Sequence, residues 1–445
     1  MAVFAVAAAV LTVLTPCIHA QEVAVDNETG VGARAMGMGG ANIAAVNDLS
    51  AVIYNPAALA RLNDGEVQLG LNVLKRNIDT TLKSNIEAEG TATANTDFSG
   101  IGTIGVAYPM PTDRGSLVFA VAYNRVKDFE GRIKLDGYND VLEGHQNGEL
   151  VEEGGMGIIS LAGAVDVSPQ VSVGASFDVW LGSYKRTRNL LLNDYREDSL
   201  YSQLDIDWAD DEINAWSFKP SILYHNKKFR LGVFMRLPMT FHITEDAYWE
   251  GYSRDDGGHF ILYEPIDPSS PFNDEDYTGG DYLKYKIKAP MQLGLGLSWG
   301  TPGRTNLAFD VTYENWKQAK LDYPADYYEE PNYFRDKYRS ALGWRIGLEQ
   351  PLPLFDIVGR IGYLRQPLTF KGPRGYEPDL PAIEVENERD YITFGIGKRF
   401  DKSLSLDAAF SYGFWQEKET PRNDEESRTR LFVSVTYRMP TLQWK

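Results

Sequence analysis

From residue 66 onward, apolar and polar positions alternate along the chain. Between Ser403 and Phe414, the residues Leu404, Leu406, Ala408, Phe410, Tyr412 and Phe414 fall on one face, and Ser405, Asp407, Ala409, Ser411 and Gly413 fall on the other. Successive side chains of a strand point to opposite sides, so the segment reads as a strand with one greasy face and one small or polar face. The pattern recurs at Leu117, Phe119, Val121 and Tyr123, at Met291 through Trp299, at Leu307 through Tyr313, and at Leu431 through Tyr437. It predicts fourteen strands, at 66–76, 98–109, 115–127, 157–167, 171–184, 214–225, 228–240, 283–299, 304–316, 339–350, 355–365, 389–400, 403–414 and 427–438.

A soluble sandwich alternates too. Three features favour a transmembrane barrel instead. Several segments reach about ten residues, the length a tilted strand needs to cross a bilayer. Their greasy faces often end in an aromatic residue, as at Tyr123, Trp299, Tyr313, Tyr412 and Tyr437, which suits an interfacial girdle. The connections also sort by length: Ser168–Gln170, Asn226–Lys227 and Asp401–Lys402 are tight, whereas the alternate connections are long. Short periplasmic turns with long outer loops are the expected asymmetry of such barrels. The fold class predicted is all-β, a fourteen-stranded antiparallel transmembrane β-barrel over 66–445, with long extracellular loops at 185–213 and 241–282.

Composition narrows the function classes. The 445 residues carry a formal charge of −18, and that acidic balance disfavours nucleic-acid partners, which need clustered Lys and Arg. Mean hydropathy is slightly negative, as a barrel permits because only one face of each strand meets lipid. Residues 1–20 are an apolar run ending in Pro16 and Ala20, and read as a signal peptide for export. The single cysteine, Cys17, lies within it, so the exported chain is expected to hold no disulfide, no Cys metal site and no thiol nucleophile. No later stretch is long and apolar enough for a transmembrane helix. Export without such a helix places the barrel in a bacterial outer membrane, with its lipids and lipopolysaccharide as neighbours.

Residues 21–65 do not alternate. Gly30 to Leu62 is rich in Gly and Ala and low in charge, unlike a solvated leader, and reads as a plug packed inside something. Its run Gly32-Ala33-Arg34-Ala35-Met36-Gly37-Met38-Gly39-Gly40-Ala41, the step Asp48-x-Ser50-Ala51 and the tetrapeptide Tyr54-Asn55-Pro56-Ala57 resemble the N-terminal hatch of the FadL/TodX family of outer-membrane transporters of hydrophobic compounds, including long-chain fatty acids. Ala289-Pro290 before an alternating strand and Tyr391-x-x-x-Gly395-x-Gly397 agree. The resemblance implies a barrel closed by a small N-terminal hatch, passive uptake of long-chain fatty acids or aromatic hydrocarbons through a lumen pocket, and sideways release through a gap in the wall. A related group of barrels tied to protein secretion carries a similar stretch, so a structural or secretion-associated barrel that docks protein partners is the alternative.

On this reading the hatch or gate residues are Gly39, Gly40, Asn55, Pro56 and Ala57. The substrate-landing residues are Tyr248, Trp249, Tyr252 and Phe260, aromatics of the 241–282 segment that could bury apolar area. Asp178, Lys219, Arg230, Arg236, Asp310, Glu314, Arg345, Glu349, Arg360, Arg399, Asp407 and Arg438 are expected to face the lumen, where charges pair or hold the hatch. No metal-ligand spacing, nucleophile elbow or phosphate loop occurs, so no catalytic residue, metal or cofactor is expected. The chain is expected to be a monomer.

Overall fold

Alternation closes into a cylinder. The structure, a computed structural model, describes residues 30–83, 89–112, 115–139, 144–196, 199–254, 260–262, 278–301, 304–324, 332–369, 388–419 and 422–439. The signal segment 1–20 and residues 21–29 therefore lie outside the described residues. The strands are β1 (Gly65–Lys83), β2 (Glu89–Met110), β3 (Leu117–Asp128), β4 (Gly131–Asn139), β5 (Gly144–Ser168), β6 (Val171–Arg196), β7 (Ser199–His225), β8 (Phe229–Arg236), β9 (Met239–Arg254) and β10 (Phe260–Leu262). They continue as β11 (Thr278–Ala289), β12 (Gln292–Gly300), β13 (Asn306–Asn315), β14 (Lys320–Asp322), β15 (Ser340–Leu352), β16 (Ile357–Pro367), β17 (Glu388–Arg399), β18 (Leu404–Glu419) and β19 (Arg422–Met439).

All pairings are antiparallel, and β1 bonds both β2 and β19, from Gly65↔Met439 to Leu82↔Arg422. That pairing removes the sheet edges. Four wall positions are built from two segments each: β3 and β4, β8 and β9, β11 and β12, and β13 and β14. The wall is thus a closed barrel of fourteen strands, with β10 a short addition on β9. Two of the breaks face each other. The ladder between neighbouring wall positions ends at Met239↔Ala289 and resumes at Arg236↔Gln292, and the skipped residues include Pro238 and Pro290, which have no N–H to give a ladder.

The two faces of the wall differ as the alternation requires. Leu69, Leu71, Val121, Leu161, Trp216, Leu295, Phe394 and Leu431 are exposed on the outside, whereas Thr103, Asn124, Ser160, Asp178, Ser217, Asp310 and Thr393 are buried facing inward. Apolar exposure on that scale fits a hydrocarbon surround and not water.

The long connections differ from the expectation. Residues 185–196 and 199–213 are paired strand: β6 and β7 stay in register from Val171↔Tyr224 out to Arg196↔Ser199. Residues 241–254 and 278–282 are likewise strand, in β9 and β11. Beyond the bilayer both faces of these ribbons carry polar and charged residues, so pairing continues where the alternation of hydrophobicity does not.

Candidate functional site

The N-terminal segment lies inside the barrel. Helix α1 (Ala33–Gly37), helix α2 (Ala51–Tyr54) and a 3-10 helix (Pro56–Arg61) are short and almost wholly buried. Helices of this length gain little from propensity alone, so their conformation is set by the wall around them. Inward side chains of the strands bond the segment's backbone. Asp310 accepts from the Asn42 and Ile43 amides at 2.6 and 2.7 Å. Ser434 accepts from Ala33 N at 3.0 Å, Thr393 from Gly39 N at 2.8 Å and Ser221 from Ala57 N at 2.9 Å. Lys219 donates to the Ile53 carbonyl at 2.7 Å. Unsatisfied backbone groups in a lumen would be costly, and these contacts answer them one by one.

A row of ions fastens the other side. Arg34 bonds Glu349, Arg360 Nε donates to Glu349 at 2.7 Å, and Arg360 Nη1 donates to Asp407 at 2.7 Å. Burial opposes the Arg34 charge, but the Glu349 and Asp48 carboxylates outweigh it and hold the guanidinium above its usual pKa.

The predicted gate residues all lie in this buried segment. Gly39 and Gly40 adopt positive φ, +66° and +72°, a region costly for residues with a Cβ. Asn55 is fully buried. Its Nδ2 donates to the Ile43 carbonyl at 2.9 Å, and its Oδ1 accepts from Ala57 N at 3.2 Å. It therefore ties two stretches of the segment together and caps the 3-10 helix that Pro56 opens.

The predicted landing residues lie on β9 and on β10 paired to it. Tyr248 and Tyr252 lie on the outward side of β9, both donating to Glu250, and Tyr248 stacks on Trp208 at 6.0 Å. Those two hydroxyls hold the Glu250 carboxyl below its ordinary pKa. Trp249 pairs through its backbone with Asp207 and Gly279, and Phe260 pairs with Arg254 in β10. A further aromatic surface, which the sequence did not single out, lies in the lumen. Trp180, Ile213, Met239, Phe241, Ile243, Tyr285, Ile287, Trp316, Phe334 and Tyr338 form one buried cluster that reaches Val31, Ala35 and Tyr54 of the N-terminal segment. Trp180 and Phe241 pack edge to face at 6.0 Å, and the Phe334 and Tyr338 rings pack tilted at 4.7 Å. Arg236 lies over the Trp180 ring at 5.1 Å and pairs with Glu314 at 3.0 Å. Inward alternation at Met239, Phe241 and Ile243 carried this signal. It was hidden because Thr240, His242 and Thr244 on the other face are not lipid-like.

Where the segment's tip meets the wall there is a cleft lined by Gly30–Ala33, Gly70–Asn72, Gly102, Thr103, Arg125, Phe432 and Ser434. The β1–β2 register shifts at Gly70/Leu71 beside it, and the β3–β5 register shifts between Arg125 and Lys127. Bulges of this kind locally open and bend a ladder.

Asp166, Ser172 and His225 also come together at one end of the wall. Ser172 Oγ donates to Asp166 at 2.6 Å and stands 3.5 Å from His225 Nε2. The acid thus holds the serine and not the histidine, the reverse of a nucleophile–base–acid chain, and Ser172 is fully buried.

No family model and no curated protein matches the chain. Solved structures do. The Pseudomonas putida toluene transporter TodX superposes with a TM-score of 0.59 at 15% identity, covering 93% of this chain and 100% of that one. A Pseudomonas aeruginosa FadL homologue gives 0.60 at 14%, covering 93% and 99%. The Ralstonia pickettii toluene transporter TbuX gives 0.54 at 15%, covering 93% and 99%. The chain has the fold of these barrels over nearly its whole described length.

Proposed function

We propose that this chain is a bacterial outer-membrane transporter for the passive uptake of hydrophobic compounds, such as aromatic hydrocarbons or long-chain fatty acids, through a lumen pocket gated by the N-terminal hatch. The observation that carries this reading is the aromatic lumen cluster around Trp180, Phe241 and Trp316, which touches the hatch at Val31, Ala35 and Tyr54. An apolar surface inside a barrel, closed off by a segment held through discrete hydrogen bonds, is suited to holding an apolar solute until the segment shifts. Burying such a solute against aromatic rings is favourable at roughly 25 cal/mol per Å² of apolar surface. The similar structures, toluene transporters and a FadL homologue, support the same class of cargo. The cleft between Gly30–Ala33 and the Gly70/Leu71 bulge is the proposed sideways exit, because there the hatch tip and an irregular wall adjoin.

The alternative, a scaffold that docks protein partners, would be favoured by a lumen filled with charge. Ion pairs do line the lumen, among them Arg34–Glu349–Arg360–Asp407, Arg236–Glu314 and Arg430–Asp128, but the aromatic cluster beside them favours transport.

Ligand binding to the purified barrel in detergent tests the proposal. Toluene or oleate should quench tryptophan fluorescence saturably, and the Trp180→Phe/Trp316→Phe variant should lose most of the change. Absence of a saturable change with either solute would count against a lumen site.

A further inference from the structure

Strand β11 carries Lys284, Lys286 and Lys288 at alternate positions, all exposed, between Leu283, Tyr285, Ile287 and Ala289, which are buried inward. The lysines therefore project from the outside of the barrel. On one side Lys288 lies opposite Lys320 of β14 and Lys286 opposite Asp322. On the other side Thr244, His242 and Thr240 of β9 stand opposite Lys284, Lys286 and Lys288, and none of these is an anion. The ion pair described within the group is Lys288 with Asp322, at 3.3 Å and about half exposed on both sides. Lys284 lies over the exposed Tyr282 ring at 5.2 Å. Four ammonium groups thus share one face in which Asp322 is the ion-paired carboxylate described and Asp246 of β9 stands at the far edge, opposite Tyr282, in a chain whose net charge is −18. Like charges directly opposite in a ladder repel, and among the described contacts the Lys288–Asp322 pair relieves this in part.

Their height supplies the missing partner. Immediately below, the outward residues of β12 are apolar: Leu293, Leu295, Leu297 and Trp299, with Met291 at the break. At about 3.3 Å per residue and a tilt of about 40°, Met291 to Trp299 covers roughly 20 Å, most of the lipid-facing band of a barrel of this type. The lysines begin where that band stops, at the end away from the tight turns Asn226–Lys228 and Asp401–Ser403. That level is the headgroup layer of the outer leaflet.

We propose that the outer face of β9, β11 and β14 binds the phosphate groups of an outer-leaflet glycolipid through Lys284, Lys286, Lys288 and Lys320. Ammonium groups spaced along a strand suit a headgroup bearing two separated phosphates, and charge-assisted contacts to phosphate oxygens are strong. Tyr282 adds an aromatic ring at the same level. The inference rests on the outer-membrane reading above but not on transport.

Native mass spectrometry of the full chain in detergent, with diphosphoryl lipid A, fully dephosphorylated lipid A and phosphatidylglycerol as probes, tests it. The native chain should retain diphosphoryl lipid A, with dephosphorylated lipid A and phosphatidylglycerol retained at least tenfold less. The Lys284→Gln/Lys286→Gln/Lys288→Gln/Lys320→Gln variant should bind lipid A at least tenfold more weakly. The Lys→Arg version at the same four sites should restore binding, and Lys227→Gln/Lys228→Gln should leave it unchanged. Equal retention of lipid A by the native chain and the Gln variant, or of phosphatidylglycerol and lipid A by the native chain, would overturn the proposal. The toluene-induced fluorescence change should be intact in the Gln variant, so failure of the lipid site and failure of the uptake reading give separate results.

Discussion

Arg34 of α1 and Glu349 of β15 are joined at two points, Nε to Oε2 at 3.0 Å and Nη2 to Oε1 at 2.9 Å, across 315 residues of chain. The fork geometry of guanidinium and carboxylate makes this a directional bond, and Arg360 on the same carboxylate extends it into the wall. It is the most explicit tie between the N-terminal segment and the barrel. Removing one partner of a buried pair costs roughly 3–5 kcal/mol, because the other is left charged and unpaired. Arg34→Ala should therefore loosen the segment without unfolding the wall. Single-channel conductance in planar bilayers should show openings that the native chain lacks, while heat-resistant migration on gels persists. Conductance identical to the native chain would mean the pair does not hold the segment shut.

Close backbone approach makes a second prediction. A Cβ on Gly362 of β16 would stand 2.1 Å from Gly39 N, far inside contact distance, and Gly39 cannot readily move because its φ of +66° fixes the turn. Gly362→Ala should displace residues 38–40 and speed protease cleavage within 30–62 several-fold. Gly300→Ala, where a Cβ meets only the Lys228 carbonyl at 3.9 Å, is the matched control. Equal cleavage in the two variants would show that the approach is not tight in solution.

Asn55 separates capping from tethering. Asn55→Asp keeps an oxygen for Ala57 N but loses the donor to Ile43, whereas Asn55→Ala loses both. Each lost bond or cap is worth about 1 kcal/mol. Both variants should alter solute passage with the barrel intact, Asn55→Ala more so. If either abolishes heat-resistant migration, the residue serves folding and not gating.

The Asp401 turn carries a pH dependence. Its carboxylate accepts from the Ser403 and Leu404 amides at 2.6 and 2.7 Å, and those bonds hold its pKa below the ordinary value. A depressed folded pKa stabilises above the unfolded value, and the contribution is lost as pH falls through the folded value. Amide exchange of Ser403 and Leu404, corrected for intrinsic rates, should accelerate on acidification below about pH 4. Asp401→Asn should flatten that response. A response unchanged by the substitution would assign the acid sensitivity to other groups.

Much of the barrel was legible because alternation is a direct image of a wall with lipid on one side. Leu404 to Phe414 and Met291 to Trp299 needed no further context. The breaks at Leu237-Pro238 and Pro290-Met291 were not legible, since a one-residue phase shift leaves the count of apolar residues unchanged and only pairing reveals it. Lumen-facing charge at Asp178, Lys219, Asp310 and Glu349 followed from strand parity. Which charges meet did not, because Arg34 and Glu349 are brought together by barrel closure. Arg399, expected in the lumen, is exposed at the rim where β17 ends. Of the aromatics in this segment, β9 turns Tyr248 and Tyr252 outward, whereas Phe241, seven residues before Tyr248, faces in. Composition marks aromatics; parity decides which side they serve.

The central claim is uptake of hydrophobic solutes through the lumen, and the initial rate of uptake tests it most directly. Labelled toluene and oleate should enter cells expressing the native chain several-fold faster than otherwise identical cells lacking the gene, with Trp180→Ala/Phe241→Ala reducing the gain at equal barrel abundance. Equal rates with and without the native chain, for both solutes, would contradict the account.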